Sequence, residues 1–150
     1  MWLISILALS TSPVWAASLP LPSNGGSDLS GTEYVATGKI EGDYTFTADT
    51  VDLLSNFEID NTINIHSRGS LTFKPDGSSI GIVTNYLSTK ATFHADKNLE
   101  IDTKGATGGW GPNVSPGKLT FEAGETLSGD TSGKAFKVHH WGELTFKGKN

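Results

Sequence analysis

Apolar and polar residues alternate along most of the chain after residue 40, in short runs separated by Asn, Asp, Gly, Ser and Thr. Such alternation over four to six residues between turn-forming residues is typical of β-strands. Outside the first sixteen residues, no eleven-residue window carries a helical period. The pattern therefore predicts an all-β protein, with inward-facing pairs at Tyr44 and Phe46, Phe57 and Ile59, Ile63 and Ile65, Leu71 and Phe73, Ile80 and Ile82, Ala91 and Phe93, Leu99 and Ile101, Leu119 and Phe121, Phe136 and Val138, and Leu144 and Phe146.

One short motif, an apolar or aromatic residue followed by Thr-Phe, occurs five times. Its copies end at residues that are 27, 20, 28 and 25 positions apart, namely Phe46, Phe73, Phe93, Phe121 and Phe146. Repeats of 20 to 50 residues are typical of solenoids, in which each coil buries its apolar face only against the next coil. Equivalent positions on neighbouring coils predict parallel pairing, so a parallel β-helix (β-solenoid) is favoured over a meander. We expect the five phenylalanines to form one internal ladder.

The first sixteen residues form an apolar run that ends at Ala16, with Val14 at minus three and Ala16 at minus one of a cleavage site. This pattern predicts a cleavable secretory signal peptide over residues 1–16, because the apolar core is too short to cross a bilayer. A buried amphipathic helix is the alternative. Signal peptides normally begin with Lys or Arg, whereas the first basic residue here is Lys39, which leaves the native start codon open.

The rest of the chain divides into two parts. Residues 17–39 are rich in turn-forming residues and poor in apolar ones, which predicts a flexible N-terminal arm or an irregular cap. Residues 40–150 carry the repeats and are expected to form the coils. Solenoids need a terminal cap over their exposed edge. Because no such segment follows Phe146, we expect the chain to be a fragment of a longer protein.

Composition narrows the classes of partner and compartment. The chain has 11 basic and 16 acidic residues, a net charge of -5, and Arg68 as its one arginine. Binding of nucleic acid requires clustered basic residues, so no nucleic-acid partner is predicted. The chain contains no cysteine. In an exported protein this fits a bacterial surface or envelope protein that folds without disulfide bonds.

The segment from Lys104 to Gly117 is too rich in Gly and Pro for a strand and is predicted to project as a loop. Projecting loops of solenoids often form the binding face. Trp110 and Asn113 on this loop are therefore the candidate ligand-binding residues, with burial of Trp110 over the solenoid edge as the alternative.

No motif predicts catalysis, a metal site or a cofactor. The sequence Asp130-Thr131-Ser132-Gly133 matches an aspartic-protease loop superficially, but no second copy supplies the partner carboxylate, so a turn is favoured. His139 and His140 are adjacent and would point to opposite faces of a strand. His66 and His94 lie on different coils and are interpreted as surface residues, with a zinc site built across the coils as the alternative. The acidic residues mostly flank turns.

Several segments share one rung-like pattern: residues 117–124 (GKLTFEAG), 142–148 (GELTFKG), 70–73 (SLTF) and 97–101 (KNLEI). Together with the signal peptide and the cysteine-free acidic composition, they resemble the passenger domains of autotransporters (type V secretion). The resemblance covers roughly residues 40–150. It implies a right-handed parallel β-helix that is carried to the surface of a Gram-negative cell by a C-terminal outer-membrane barrel. It also implies the export machinery as a partner.

The predicted function is that of a non-catalytic, adhesin-like segment at the cell surface or in the medium. Its expected partners are host glycans, extracellular matrix or other bacterial cells. The alternative is a secreted polysaccharide-degrading β-helix enzyme, a lyase or a hydrolase. A third hypothesis is an ice-binding solenoid, since the five threonines of the repeats would point outward: Thr45, Thr72, Thr92, Thr120 and Thr145.

Overall fold

The computed structural model describes five ranges of the chain: residues 17–75, 82–84, 86–104, 112–130 and 136–149. Their secondary structure consists of short β-strands, which confirms the all-β prediction. No helix among these residues is long and apolar enough to cross a membrane. The strands are β1 Leu19–Pro20, β2 Gly26–Leu29, β3 Glu33–Ile40, β4 Tyr44–Phe46, β5 Thr50–Ile59, β6 Thr62–Ser67, β7 Ser70–Pro75, β8 Ile82–Thr84, β9 Lys90–Ala95, β10 Leu99–Asp102, β11 Pro112–Val114, β12 Gly117–Ala123, β13 Leu127–Asp130, β14 Lys137–Val138 and β15 Gly142–Lys147.

Every pairing between these strands is parallel, as the repeats predict, and the strands form two sheets. Sheet B has six strands that follow one another in chain order, β2, β4, β6, β9, β12 and β15. Sheet A has nine strands and contains β1, β3, β5, β7, β8, β10, β11, β13 and β14. The chain therefore passes back and forth between the sheets, adding one strand to sheet B on each passage.

Sheet A contains two rows of strands that meet at β5. Residues 50–55 of β5 pair with β7, whereas residues 57–59 pair with β8. The first row continues through β10 to β13, and the second continues through β11 to β14. Each passage after β5 thus adds one strand to sheet B and one to each row of sheet A.

The core lies between the two sheets and receives every second side chain of the strands, because successive side chains of a β-strand point to opposite faces. Aromatic rings from both sheets meet there. Phe73 of sheet A lies 6.0 Å from Phe93 and 6.1 Å from Phe121 of sheet B, measured between ring centroids. Phe57 of sheet A lies 6.3 Å from Phe93, and Tyr34 lies 5.1 Å from Phe46. The two sheets therefore share one apolar interior.

Three of the five repeat phenylalanines form a column on sheet B. Phe93, Phe121 and Phe146 are register partners on β9, β12 and β15. Their rings are stacked, with centroid distances of 5.1 Å between Phe93 and Phe121 and 5.8 Å between Phe121 and Phe146. Phe93 and Phe121 are fully buried, whereas Phe146 on the outermost strand remains 45% exposed.

The single five-membered ladder is nevertheless wrong. Phe73 lies on β7 in sheet A, where its register partners are Leu53 and Ile101. Phe46 lies in sheet B but pairs with Ser67, two positions away from the phenylalanine column. A shift of two residues leaves a side chain on the same face of the sheet, so Phe46 stays fully buried outside the ladder.

The prediction for residues 17–39 also requires correction. Strand β1 pairs with β3, β2 pairs with β4, and β3 pairs with β5 along its whole length. Tyr34 and Ala36 are buried in the shared core. Residues 19–40 thus belong to the sheets rather than to a flexible arm, and the boundary predicted at residue 40 is wrong. Residues 1–16, the predicted signal peptide, lie outside the described residues.

Candidate functional site

The outer face of sheet B carries polar side chains in columns that run across the strands. Parallel in-register pairing places equivalent positions of neighbouring strands next to each other, about 4.8 Å apart. One column contains lysines and a glutamate, a second contains an asparagine and three threonines, and the third contains two histidines. The columns are Thr62, Lys90, Lys118 and Glu143; Asn64, Thr92, Thr120 and Thr145; and Thr45, His66, His94, Glu122 and Lys147.

The two histidines of the third column form a cluster with Asp96. His66 on β6 and His94 on β9 are register partners, and their ring centroids are 5.1 Å apart. Asp96 directly follows β9, where its N–H donates to the carbonyl of Ser67 at 2.9 Å. One oxygen of the Asp96 carboxylate, Oδ1, accepts hydrogen bonds from Nε2 of His66 at 2.7 Å and from Nε2 of His94 at 3.1 Å. The register of β6 and β9 therefore aims both rings at one carboxylate.

Charged neighbours extend this cluster along the column. Oε1 of Glu122 lies 4.0 Å from Nδ1 of His94, and Oε2 of Glu122 lies 3.7 Å from Nζ of Lys147. The hydrogen bond from His66 lowers the pKa of Asp96, and the hydrogen bond from His94 lowers it further. Asp96 is therefore a stable carboxylate at neutral pH. The side chains of the cluster are 34–45% exposed, so water reaches them.

Two large aromatic side chains stand out from the edge where sheet A passes into sheet B. Tyr86 lies between β8 and β9 and is 56% exposed, and Trp141 lies between β14 and β15 and is 81% exposed. Gly117, the first residue of β12, touches both of these loops. The N–H of Gly117 donates to the carbonyl of Trp141 at 3.5 Å, and a Cβ on Gly117 would lie 2.9 Å from the carbonyl oxygen of Tyr86. We call Tyr86 and Trp141 the aromatic corner.

Trp141 lies in the connection between β14 and β15, and its ring does not pack into the core. Its φ of +60° is in the left-handed region, which is uncommon for a bulky residue. His139 and His140 were predicted on a strand and instead occupy the connection between β14 and β15.

The outer face of sheet A brings lysines and carboxylates together. Nζ of Lys74 lies 2.5 Å from Oδ2 of Asp52, and Glu100 and Asp102 are close enough to act on it electrostatically. The hydrogen bond to Asp52 is the main cause that raises the pKa of Lys74. Lys104 pairs in the same way with Asp130 at 2.7 Å. We call Lys74, Asp52, Glu100 and Asp102 the Lys74 cluster.

Of the two candidate ligand-binding residues of the sequence, Asn113 lies within the described ranges. Trp110 lies outside the described residues. Asn113 lies on β11, in register with Val83 and Lys137, so it belongs to a strand and not to a projecting loop. Its Oδ1 is buried and has no hydrogen-bond partner among the residues that the structure describes.

Alignment of the repeat on Thr-Phe does not place the two histidines of the cluster next to each other. That alignment matches Phe73 to Phe93 and separates His66 from His94 by a coil. The sequence does contain a feature that predicts their proximity. His66 and His94 are 28 residues apart, which equals the spacing between Phe93 and Phe121. Aligning Ile65 with Phe93 would have placed the two histidines side by side.

Comparison of the chain with models of known protein families, with curated protein sequences and with solved structures finds no match.

Proposed function

We propose that the two sheets are faces of one right-handed parallel β-helix. The strand order supports this proposal, because each passage of the chain after β5 adds one strand to sheet B and one to each row of sheet A. Connections between parallel strands of one sheet are right-handed in almost all proteins. The in-register phenylalanine column of β9, β12 and β15 is the internal stacking that a solenoid uses in its core.

The function that we propose is display of an adhesin-like, non-catalytic binding surface by an exported bacterial protein. The aromatic corner carries this proposal. Tyr86 and Trp141 are separated by one intervening strand connection, so they stand roughly 10 Å apart on one edge. Large exposed aromatic rings are typical of binding surfaces, and their faces suit the apolar faces of sugar rings. Glycans of a host, its matrix or other bacterial cells are the proposed ligands.

The proposed function also includes export of the protein from the cytoplasm. Residues 1–16 act as a signal peptide that is cleaved before Ala17, and the mature chain reaches the cell surface or the medium. The autotransporter-like rung pattern supports a longer parent protein with an outer-membrane barrel. A rigid rod with repeated weak contacts would gain strength from avidity.

The test is a binding measurement on immobilised glycans with wild-type protein and the double variant Tyr86→Ala/Trp141→Ala. We expect saturable binding by the wild type and a loss of at least about tenfold in the double variant, because each lost stacking contact costs on the order of 1 kcal/mol. Leu19→Ala is the matched control, since Leu19 is also exposed but lies on β1. Equal binding by all three proteins would refute a role for the aromatic corner.

A second function, degradation of polysaccharides, is favoured by the Lys74 cluster. A lysine among carboxylates is an arrangement that lyases on β-helices use. The raised pKa of Lys74 keeps it protonated, which suits neutralisation of a substrate carboxylate better than proton abstraction. Turnover of acidic polysaccharides by the wild type, lost in Asp52→Asn, would establish this function in place of display.

A further inference from the structure

The histidine cluster has the ligand set of a metal centre. His66 and His94 each offer an imidazole nitrogen, Asp96 offers a carboxylate oxygen, and the three donor atoms lie within 4.8 Å of one another. Two imidazoles with one carboxylate are a ligand set of zinc and of other divalent transition metals. Magnesium and calcium prefer sites built from oxygen atoms, so they suit this set poorly.

The distances between donor atoms fit such an ion. Ligand atoms that each lie 2.0–2.1 Å from a tetrahedral ion are about 3.3 Å apart. The two measured separations, 2.7 Å from His66 Nε2 and 3.1 Å from His94 Nε2 to Asp96 Oδ1, are close to that value. All three donor atoms lie within 4.8 Å of one another, so rotation of these partly exposed side chains would bring the third pair towards the same spacing.

Metal binding would also require each histidine ring to change its tautomer. In the hydrogen-bonded cluster, Nε2 of each neutral ring carries the proton that it donates to Asp96. A metal at Nε2 requires the other tautomer, with the proton on Nδ1. Glu122 lies on that side of His94, with Oε1 4.0 Å from Nδ1. This separation is longer than a hydrogen bond. If the Glu122 carboxylate approached Nδ1 and accepted its proton, it would orient the ring and make it a stronger metal ligand.

We propose that His66, His94 and Asp96 bind one divalent transition-metal ion of the zinc class on the outer face of sheet B. The ion would link β6 to β9, which are neighbouring strands of sheet B. It would therefore cross-link two successive passages of the chain. Because the side chains are partly exposed, the remaining coordination positions are open to water or to a donor atom from a ligand.

The test is calorimetric titration of the 150-residue chain with zinc chloride in a buffer that does not bind zinc. We expect one equivalent to bind the wild type and its melting temperature to rise with zinc. The double variant His66→Ala/His94→Ala should bind at least about tenfold more weakly and lose the temperature rise. The matched control is His139→Ala/His140→Ala, which removes the same number of histidines from the connection before β15 and should bind like the wild type.

Two further variants separate ligation from general surface effects. Asp96→Asn keeps the size of the side chain but removes its charge, so it should weaken zinc binding strongly. Glu122→Gln should weaken it about tenfold, the size of effect typical of a residue that orients a ligand. Circular dichroism checks that each variant is folded.

The proposal would be overturned by a lack of saturable zinc binding to the wild type up to millimolar concentration, or by unchanged affinity in His66→Ala/His94→Ala. Loss of binding in His139→Ala/His140→Ala alone would place the metal elsewhere and would equally refute it. None of these outcomes bears on the glycan test, because that test concerns the aromatic corner.

Discussion

At the scale of single residues, the side chain of Tyr44 connects the segment around Pro22 and Ser23 to sheet B by hydrogen bonds. The ring of Tyr44 is buried, and its hydroxyl donates to the carbonyl oxygen of Pro22 at 2.6 Å, with the carbonyl oxygen of Ser23 at 3.1 Å. Burial raises the pKa of Tyr44, and the negative charge of Glu41 adds to this effect. A backbone hydrogen bond from Gly25 acts in the opposite direction. The hydroxyl therefore serves as a buried donor that must keep its proton.

The substitution Tyr44→Phe tests both the hydrogen bond of the hydroxyl and its raised pKa. At neutral pH we expect a loss of about 1 kcal/mol in the free energy of unfolding, because one hydrogen bond is removed. Above pH 10, where an exposed tyrosine ionises, the unfolded wild type releases a proton that the folded protein retains. Wild-type stability therefore falls as pH rises through the folded-state pKa.

Urea unfolding of wild type and Tyr44→Phe at pH 7 to 11 provides the measurement. The difference between the two proteins should shrink with rising pH, because the variant lacks the ionising group. A constant difference across this range would contradict the assignment.

At the scale of elements, the stability of the sheets depends on columns of identical side chains and on close approach of the turns. Phe121 is the centre of the ring column and contacts Phe73, Phe93 and Phe146. At the turn after β6, a Cβ on Gly69 would lie only 2.1 Å from the carbonyl oxygen of Asp49. Ring stacking therefore adds to the backbone pairing of the strands, and the turn at Gly69 packs too closely for a side chain.

We expect Phe121→Ala to cost about 3–5 kcal/mol in the free energy of unfolding, because it leaves a cavity among three rings. Phe146→Ala is the control. It removes the same side chain from the outermost strand, where nearly half of the ring is already in water. Chemical denaturation should show a clearly smaller loss for Phe146→Ala, and equal losses would argue against the stacked column.

Gly69→Ala should destabilise the protein by about 1–3 kcal/mol, because the new methyl group meets backbone atoms that cannot rotate away. Gly129→Ala is the matched control, since a Cβ there would lie at an ordinary 3.4 Å from the carbonyl oxygen of Ile101. Thermal unfolding of both variants is the measurement. A Gly69→Ala protein as stable as Gly129→Ala would show that the turn is not tightly packed.

At the scale of the whole molecule, each row of described strands ends at an edge strand. Within the described ranges, β13, β14 and β15 each pair on one side only. An apolar cavity of about 220 Å³ opens beside them, and its lining includes Leu127, Phe136 and Phe146. Unpaired strand edges with exposed apolar side chains promote association between molecules.

The 15.9 kDa chain should therefore self-associate with rising concentration. Phe146→Lys should reduce this association, because a charge on an edge strand opposes pairing with a second edge. Trp141→Lys adds the same charge outside the strands and serves as the control. Sedimentation velocity measures both variants. Loss of association in Trp141→Lys alone would locate the contact at the aromatic corner.

The sequence by itself determined the β-structure and the parallel pairing. Alternation with a period of two decides which side chains can be buried, and repeats with similar spacing favour in-register stacking of equivalent residues. These are local or nearest-neighbour properties, so they can be predicted without coordinates. Phe93, Phe121 and Phe146 follow this rule as predicted.

Only the tertiary structure decided the register and the sheet to which each strand belongs. A shift of two residues preserves the burial pattern, so Phe46 satisfies the alternation equally well inside or outside the ladder. Phe73 satisfies it equally well in sheet A, because both sheets face one core. The same ambiguity hid the pairing of His66 with His94. Their proximity depends on where the connections turn, which the periodicity of the strands does not encode.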